Sequence, residues 1–119
     1  MRKVIKLFEN QTADKTSGAV NILGAKKVVL FCKRAAHTSG NTAFSAVVGV
    51  DGNEIAYNKW ISNVANTNAQ TLTRVASLTL SSATSGFLTM DPSDTFETIK
   101  VTADVTTDGS NSAWLILDY

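Results

Sequence analysis

Cys32 and His37 are the one cysteine and the one histidine of the chain. Lying five residues apart, they raise nucleophilic catalysis first, because a thiolate needs a nearby base or cation to form near neutral pH. Cys32, however, closes an unbroken apolar run, Val28-Val-Leu-Phe-Cys32, whereas His37 opens a polar turn. A buried structural thiol is the commoner use of a cysteine so placed, and the pair carries no catalytic expectation. A single cysteine forms no intramolecular disulfide, and one cysteine with one histidine falls short of a structural zinc set. No G-x-S-x-G elbow, phosphate loop or H-E-x-x-H helix is present as a rival. The expectation is therefore a protein that is not an enzyme, with no cofactor and no metal.

The acids and aromatics offer weaker chemistry. Asp91, Asp94, Asp104 and Asp108 could give oxygen ligands to calcium, which takes roughly six to eight of them. Their spacing matches no compact calcium loop, and aspartate in Asp-Pro and Asp-Gly is explained by turn geometry. A glycosidase carboxylate pair stays open, since separation in space is invisible in a sequence. Tyr57, Trp60 and Trp114 could form a sugar-stacking platform. In a regular strand, though, Tyr57 and Trp60 have opposite parity and would not share a face. Trp114, inside an apolar run, reads as core or interface. Asn10-Gln-Thr12 is a formal glycosylation sequon, silent without a signal peptide, and the amino-terminal residues show no apolar h-region. Arg74 shares the parity of Leu72 and Ala76. Its charge would be buried unless it sits at a sheet end or pairs across an interface, which makes it the first interface candidate.

These residues must be positioned by strands. Of 119 residues, 15 are threonine, 11 serine and 9 asparagine, while the chain is 44% hydrophobic and only 18% charged. Threonine beside valine suits a pleated surface, and no window carries an apolar stripe at helical spacing. Strands are expected at Lys3–Glu9, Lys26–Ala36, Thr42–Val50, Glu54–Ile61, Gln70–Leu80, Gly86–Met90, Phe96–Val105 and Ser112–Tyr119, with a short apolar piece at Ala19–Leu23. A bend is expected near Glu97–Thr98, where Phe96 falls out of phase. Asn63–Asn68 reads as a loop. Asp51-Gly52 and Asp108-Gly109 read as hairpin turns, the first of type I′. The fold class is all-β: a single antiparallel β-sandwich, or jelly-roll-like domain, of seven or eight strands. Residues 1–25 form a basic arm or edge strand and residues 26–119 the sandwich.

Two features exceed what a fold requires. Val28–Cys32 and Ala113–Leu117 are apolar on both faces, although one face of a sandwich strand ordinarily meets water. Either the chain's own amino-terminal segment or a neighbouring subunit covers them. Charge is split as well: residues 1–34 carry a balance of +6 and residues 35–119 one of −5. A basic arm and an acidic body attract, within a chain or between copies. The basic residues do not cluster with exposed aromatics, so no direct nucleic-acid contact is expected. The longest apolar runs are far short of the roughly 20 residues that cross a bilayer, so no membrane partner is expected either.

The stretches VVGVDGNEIAYNKWISNVANTNAQTLTRVASLTL and FETIKVTADVTTDGSNSAWLILDY carry a pattern. A strand, a DG turn and an aromatic-rich strand lead through an Asn/Thr-rich connection to a final TDG turn and a terminal apolar strand. In this the chain, from about Lys26 to Tyr119, resembles small β-sandwich virion proteins of tailed phages and prophages. It departs from them in having Trp60 where a plain aliphatic would stand. The resemblance implies a virion location after synthesis in the host cytoplasm. It implies a non-enzymatic capsid decoration (cement) protein first, and a tail, neck or fibre part second. It also implies a homo-oligomer, with a trimer favoured, and the major capsid protein or another virion protein as partner. A glycan stays open as an alternative ligand of a β-sandwich module. The interface candidates are Arg2, Lys3, Lys6, Lys26, Lys27, Arg74, Trp60, Trp114 and Tyr119.

Overall fold

Stiff β-branched side chains alternating with polar ones set the long strands, and each pairs along its length with a neighbour of the same pattern. A computed structural model describes residues 1–62 and 73–119. Among these residues there is no helix, and every strand pairing is antiparallel. One sheet runs β1 (Arg2–Gln11), β12 (Ser110–Asp118), β4 (Lys27–Ala35), β10 (Thr84–Thr89), β7 (Trp60–Ser62) and β8 (Thr73–Val75). The second runs β2 (Lys15–Thr16), β11 (Thr98–Thr107), β5 (Gly40–Val50) and β6 (Asn53–Ala56). There β3 (Val20–Asn21) also borders β11, and β9 (Leu78–Leu80) also borders β5. The two six-stranded sheets pack face to face as a β-sandwich.

The core is what the alternation dictates. Leu30, Leu88, Leu115 and Leu117 point inward from the first sheet, and Phe44, Val48, Ile99 and Val101 from the second, all essentially inaccessible to water. The outward residues of the second sheet are mostly polar, as in Lys100, Thr102, Asp104 and Thr106 between Ile99, Val101, Ala103 and Val105. The Asp51-Gly52 turn has positive φ at both residues, 54° and 80°, as a type I′ hairpin demands. Glycine at position 52 takes that conformation without steric cost.

The described residues form twelve strands rather than the expected seven or eight, because two expected strands are divided between the sheets and the short β2 and β3 are added. Glu54–Ile61 breaks at residues 57–59, so β6 stays in the second sheet and β7 enters the first. Gln70–Leu80 likewise separates into β8 and β9 in different sheets, and its residues 70–72 lie outside the described residues. The loop expected at Asn63–Asn68 also lies outside them. The polar break at residues 10–18 contains the short strand β2, and Ala19–Leu23 contracts to the two residues of β3. Near Glu97–Thr98 the chain bends as expected: Phe96 lies outside β11, which begins at Thr98. Asp108-Gly109 is not a hairpin turn. It carries the chain from β11 in the second sheet to β12 in the first, with positive φ at Thr107 and Gly109.

Candidate functional site

The two doubly apolar segments occupy the middle of the first sheet, as β12 and β4, between β1 and β10. Their inward residues complete the core, and their outward residues continue an apolar surface across the sheet. Cross-strand register aligns Val4, Ile116, Val29, Thr89 and Ile61 in one row. It aligns Lys6, Trp114, Phe31 and Phe87 in the next. Phe31 and Trp114 meet edge to face, with ring centroids 5.9 Å apart. Val4 is 61% exposed and Phe87 39%, and Val29, Phe31, Trp114 and Ile116 are half-buried. Among the described residues no further strand is stacked on this outer face. The amino-terminal strand lies beside β12 as an edge, not over the face.

A basic corner borders the apolar rows. Arg2 pairs in register with Asp118 and Asp118 with Lys27, while the Lys26 N–H donates to the Asp118 carbonyl at 2.6 Å. Arg2 Nε donates to Asp118 Oδ1 at 2.9 Å, and that bond first, then charge, holds the Asp118 carboxyl below its usual range. Lys3 lies exposed beside them on β1. Arg2, Lys27 and the amino terminus thus act on the Asp118 carboxylate, with Lys3 next on β1 and Lys26 next to Lys27, at the end of the sandwich where β1 starts and β12 finishes. Tyr119, 37% exposed, closes the same corner through its N–H to the Met1 carbonyl. Lys6 stands farther along β1 and pairs with Glu9 at 3.0 Å.

The remaining sequence candidates go elsewhere. Trp60 is fully buried and Tyr57 is 4% exposed, packed edge to face at 5.0 Å. The break at residues 57–59 lets both rings turn inward, which regular alternation would forbid. Neither ring offers a face to solvent, so the sugar-stacking platform does not form from them, and Trp60 is a core residue rather than an interface one. Arg74 is exposed on β8 and pairs with Asp91 at 2.8 Å. Its charge is not buried, because the strand whose parity implied burial is broken. Cys32 is inaccessible inside β4, and burial pushes its thiol pKa up, away from thiolate formation. Among the described residues, no three or more His, Cys, Asp or Glu side chains gather as a metal site.

Two polar groups close the ends of the sandwich: Arg34, absent from the sequence candidates, and the Tyr57 hydroxyl, in a role the sequence did not show. Arg34, 1% exposed, donates to the carbonyls of Leu80 at 2.9 Å, Ser39 at 2.8 Å and Asp108 at 2.7 Å. Those carbonyls belong to three places where the chain passes between sheets: β4 to β5, β9 to β10, and β11 to β12. Gly109 packs so close that a Cβ there would stand 2.8 Å from Arg34 Nε. At the other end the Tyr57 hydroxyl donates to Asp94 Oδ2 at 2.7 Å and accepts from the Asp91 N–H at 3.0 Å. That hydroxyl ties the β6–β7 crossing to the β10–β11 crossing. Arg34 shares the parity of Val28, Leu30 and Cys32, so the reasoning applied to Arg74 would have found it.

In comparison with known proteins, no protein-family model matches the sequence, and no curated protein matches it. The crystal structure of the SPBc2 prophage-derived protein YomS matches with a TM-score of 0.62 at 13% sequence identity, covering 98% of this chain and 92% of that one. At that identity what the two chains share is the fold, over nearly the whole length of both.

Proposed function

We propose that this chain is a non-enzymatic structural protein of a phage particle, a capsid decoration protein that assembles with itself and on the capsid shell. The observation that carries the reading is the outward apolar surface of the first sheet, rows that a solvated monomer has no reason to keep apolar. The basic corner beside it suits an acidic neighbour. The fold likeness to a prophage-derived protein supports a phage origin, and the virion is the location that belongs to the proposed role.

Molar mass by light scattering behind a sizing column tests self-association. A closed oligomer, a trimer by expectation, that persists in high salt accords with packing through the apolar rows. Co-sedimentation with shells assembled from the major capsid protein of the same genome tests attachment. Lys3→Glu with Lys6→Glu should weaken attachment at least several-fold while the isolated fold is kept. Unchanged attachment would remove the basic strand from the mechanism, and no attachment by the unaltered protein would end the decoration reading.

A further inference from the structure

The sandwich presents a second exposed apolar surface with the opposite charge. At the tip of the β5–β6 hairpin, Val50 is 48% exposed and Ile55 65%. They stand beside Asp51, Glu54 and Glu97, with the Asp51 N–H bonded to Glu97 Oε1 at 2.7 Å. Glu54 is paired with Lys100. Asp51 and Glu97 have no ion-pair partner among the described residues, so the tip carries excess negative charge. The basic corner carries the excess positive charge, with Arg2, Lys27 and the amino terminus acting on Asp118 and Lys3 and Lys26 adjoining them in sequence. Both surfaces lie at the same end of the molecule but on different sheets: the tip adjoins the start of β11, which Ile22 and Ala25 link to the start of β4. A surface and its complement on one molecule, not self-complementary and not facing each other, is the condition for a head-to-tail contact, which closes into a ring where the rotation between copies allows it.

We propose that the hairpin tip of one copy docks on the first sheet of the next. Val50 and Ile55 would lie against the Val4–Ile116–Val29 row, and Asp51 and Glu97 against Lys26 and Lys27. The inference rests on the self-association in the reading above and names its two contacting surfaces. Opposite charges flanking an apolar centre also give direction to the contact, since the reversed, face-to-face arrangement would set the basic corners against each other.

Cysteine cross-linking of the full chain tests it, because Cys32 is buried and does not interfere. The double variant Val4→Cys, Ile55→Cys should form disulfide-linked multimers up to the ring size, while each single variant stays unlinked. Linked dimers from Val4→Cys alone would show a face-to-face contact and overturn the proposal. So would a double variant that remains unlinked while light scattering still shows an oligomer, a result that leaves self-assembly standing. A monomeric unaltered protein would overturn this inference and the self-association together, and attachment to shells would still be judged by its own assay. In a second arm, Lys26→Glu with Lys27→Glu should weaken self-association by about tenfold. Adding Asp51→Asn and Glu97→Gln to that variant removes the like-charge repulsion and should recover most of the loss. The substitutions at 51 and 97 keep the turn conformation and the acceptor for the Asp51 N–H. Failure of the restoration, with the fold intact by circular dichroism, would count against the pairing.

Discussion

Arg34 shows how much one buried cation can organise when its partners are carbonyls. Moving a guanidinium out of water costs several kcal/mol. Here that cost is offset by hydrogen bonds to the backbone oxygens of Leu80, Ser39 and Asp108, with Nε alone left without a partner. Asp108 adds the counter-charge through Oδ1 at 3.3 Å. Its carboxyl is held below the usual range chiefly by the Thr38 N–H, against some desolvation, and further by Ser39 and Arg34. Replacing Arg34 with methionine keeps much of the stem but strands the three carbonyls. The expected loss is on the order of 3–5 kcal/mol, measured as a shift in the urea midpoint. Because all three carbonyls sit at crossings, the loss should appear as poorer cooperativity too. A variant within about 1 kcal/mol of the parent would mean that water or the loops themselves replace the guanidinium.

At the scale of elements, the crossings between sheets decide what was legible and what was not. The all-β class, the long strands β1, β4, β5, β11 and β12 and the type I′ turn followed from alternation and turn chemistry, which are local. The divisions of Glu54–Ile61 and Gln70–Leu80 were not legible. A strand that changes sheets keeps its strand-like composition, and the break is fixed by distant partners. Tyr57 illustrates this, since its place is settled by Asp91 and Asp94, more than thirty residues on. The doubly apolar runs were legible as an anomaly, and the structure puts the unexplained half of each on one outer face. The Tyr57 latch also sets an alkaline limit. Burial first, then the bond to Asp94, raises the Tyr57 pKa above its ordinary 10.0, and burial raises that of Cys32 above 9.0. The folded state therefore holds both protons more tightly than the unfolded chain. The stability they contribute is complete well below pH 9 and drains as pH rises through the ordinary values. Urea midpoints should hold steady up to about pH 8.5 and fall above it. The fall should be shallower in the double variant Cys32→Ala, Tyr57→Phe, which is less stable by about 1–4 kcal/mol at pH 7. An equal slope in both proteins would assign alkaline unfolding to other groups.

For the whole molecule, the informative property is the unlike character of its two outer faces. Among the described residues both sheets are antiparallel and each covers one side of the other, which gives no reason for one outer face to be threonine-rich and the other aromatic. Burial among the described residues does not explain Trp114, Phe31 and Phe87 aligned on the outside, whereas burial between molecules does. The contrast yields a paired test in which fold and assembly separate. Phe87→Asp places a charge in the exposed apolar row, and Thr106→Asp places the same charge on the exposed outer side of the second sheet. Neither side chain contributes to the core, so both variants should unfold within about 0.5 kcal/mol of the parent. Only Phe87→Asp should dissociate the oligomer, since an aspartate desolvated among apolar groups costs far more than one left in water. Light scattering at matched concentrations decides between them. Equal loss from both would spread association over the two faces, and loss from Thr106→Asp alone would move the interface to the second sheet.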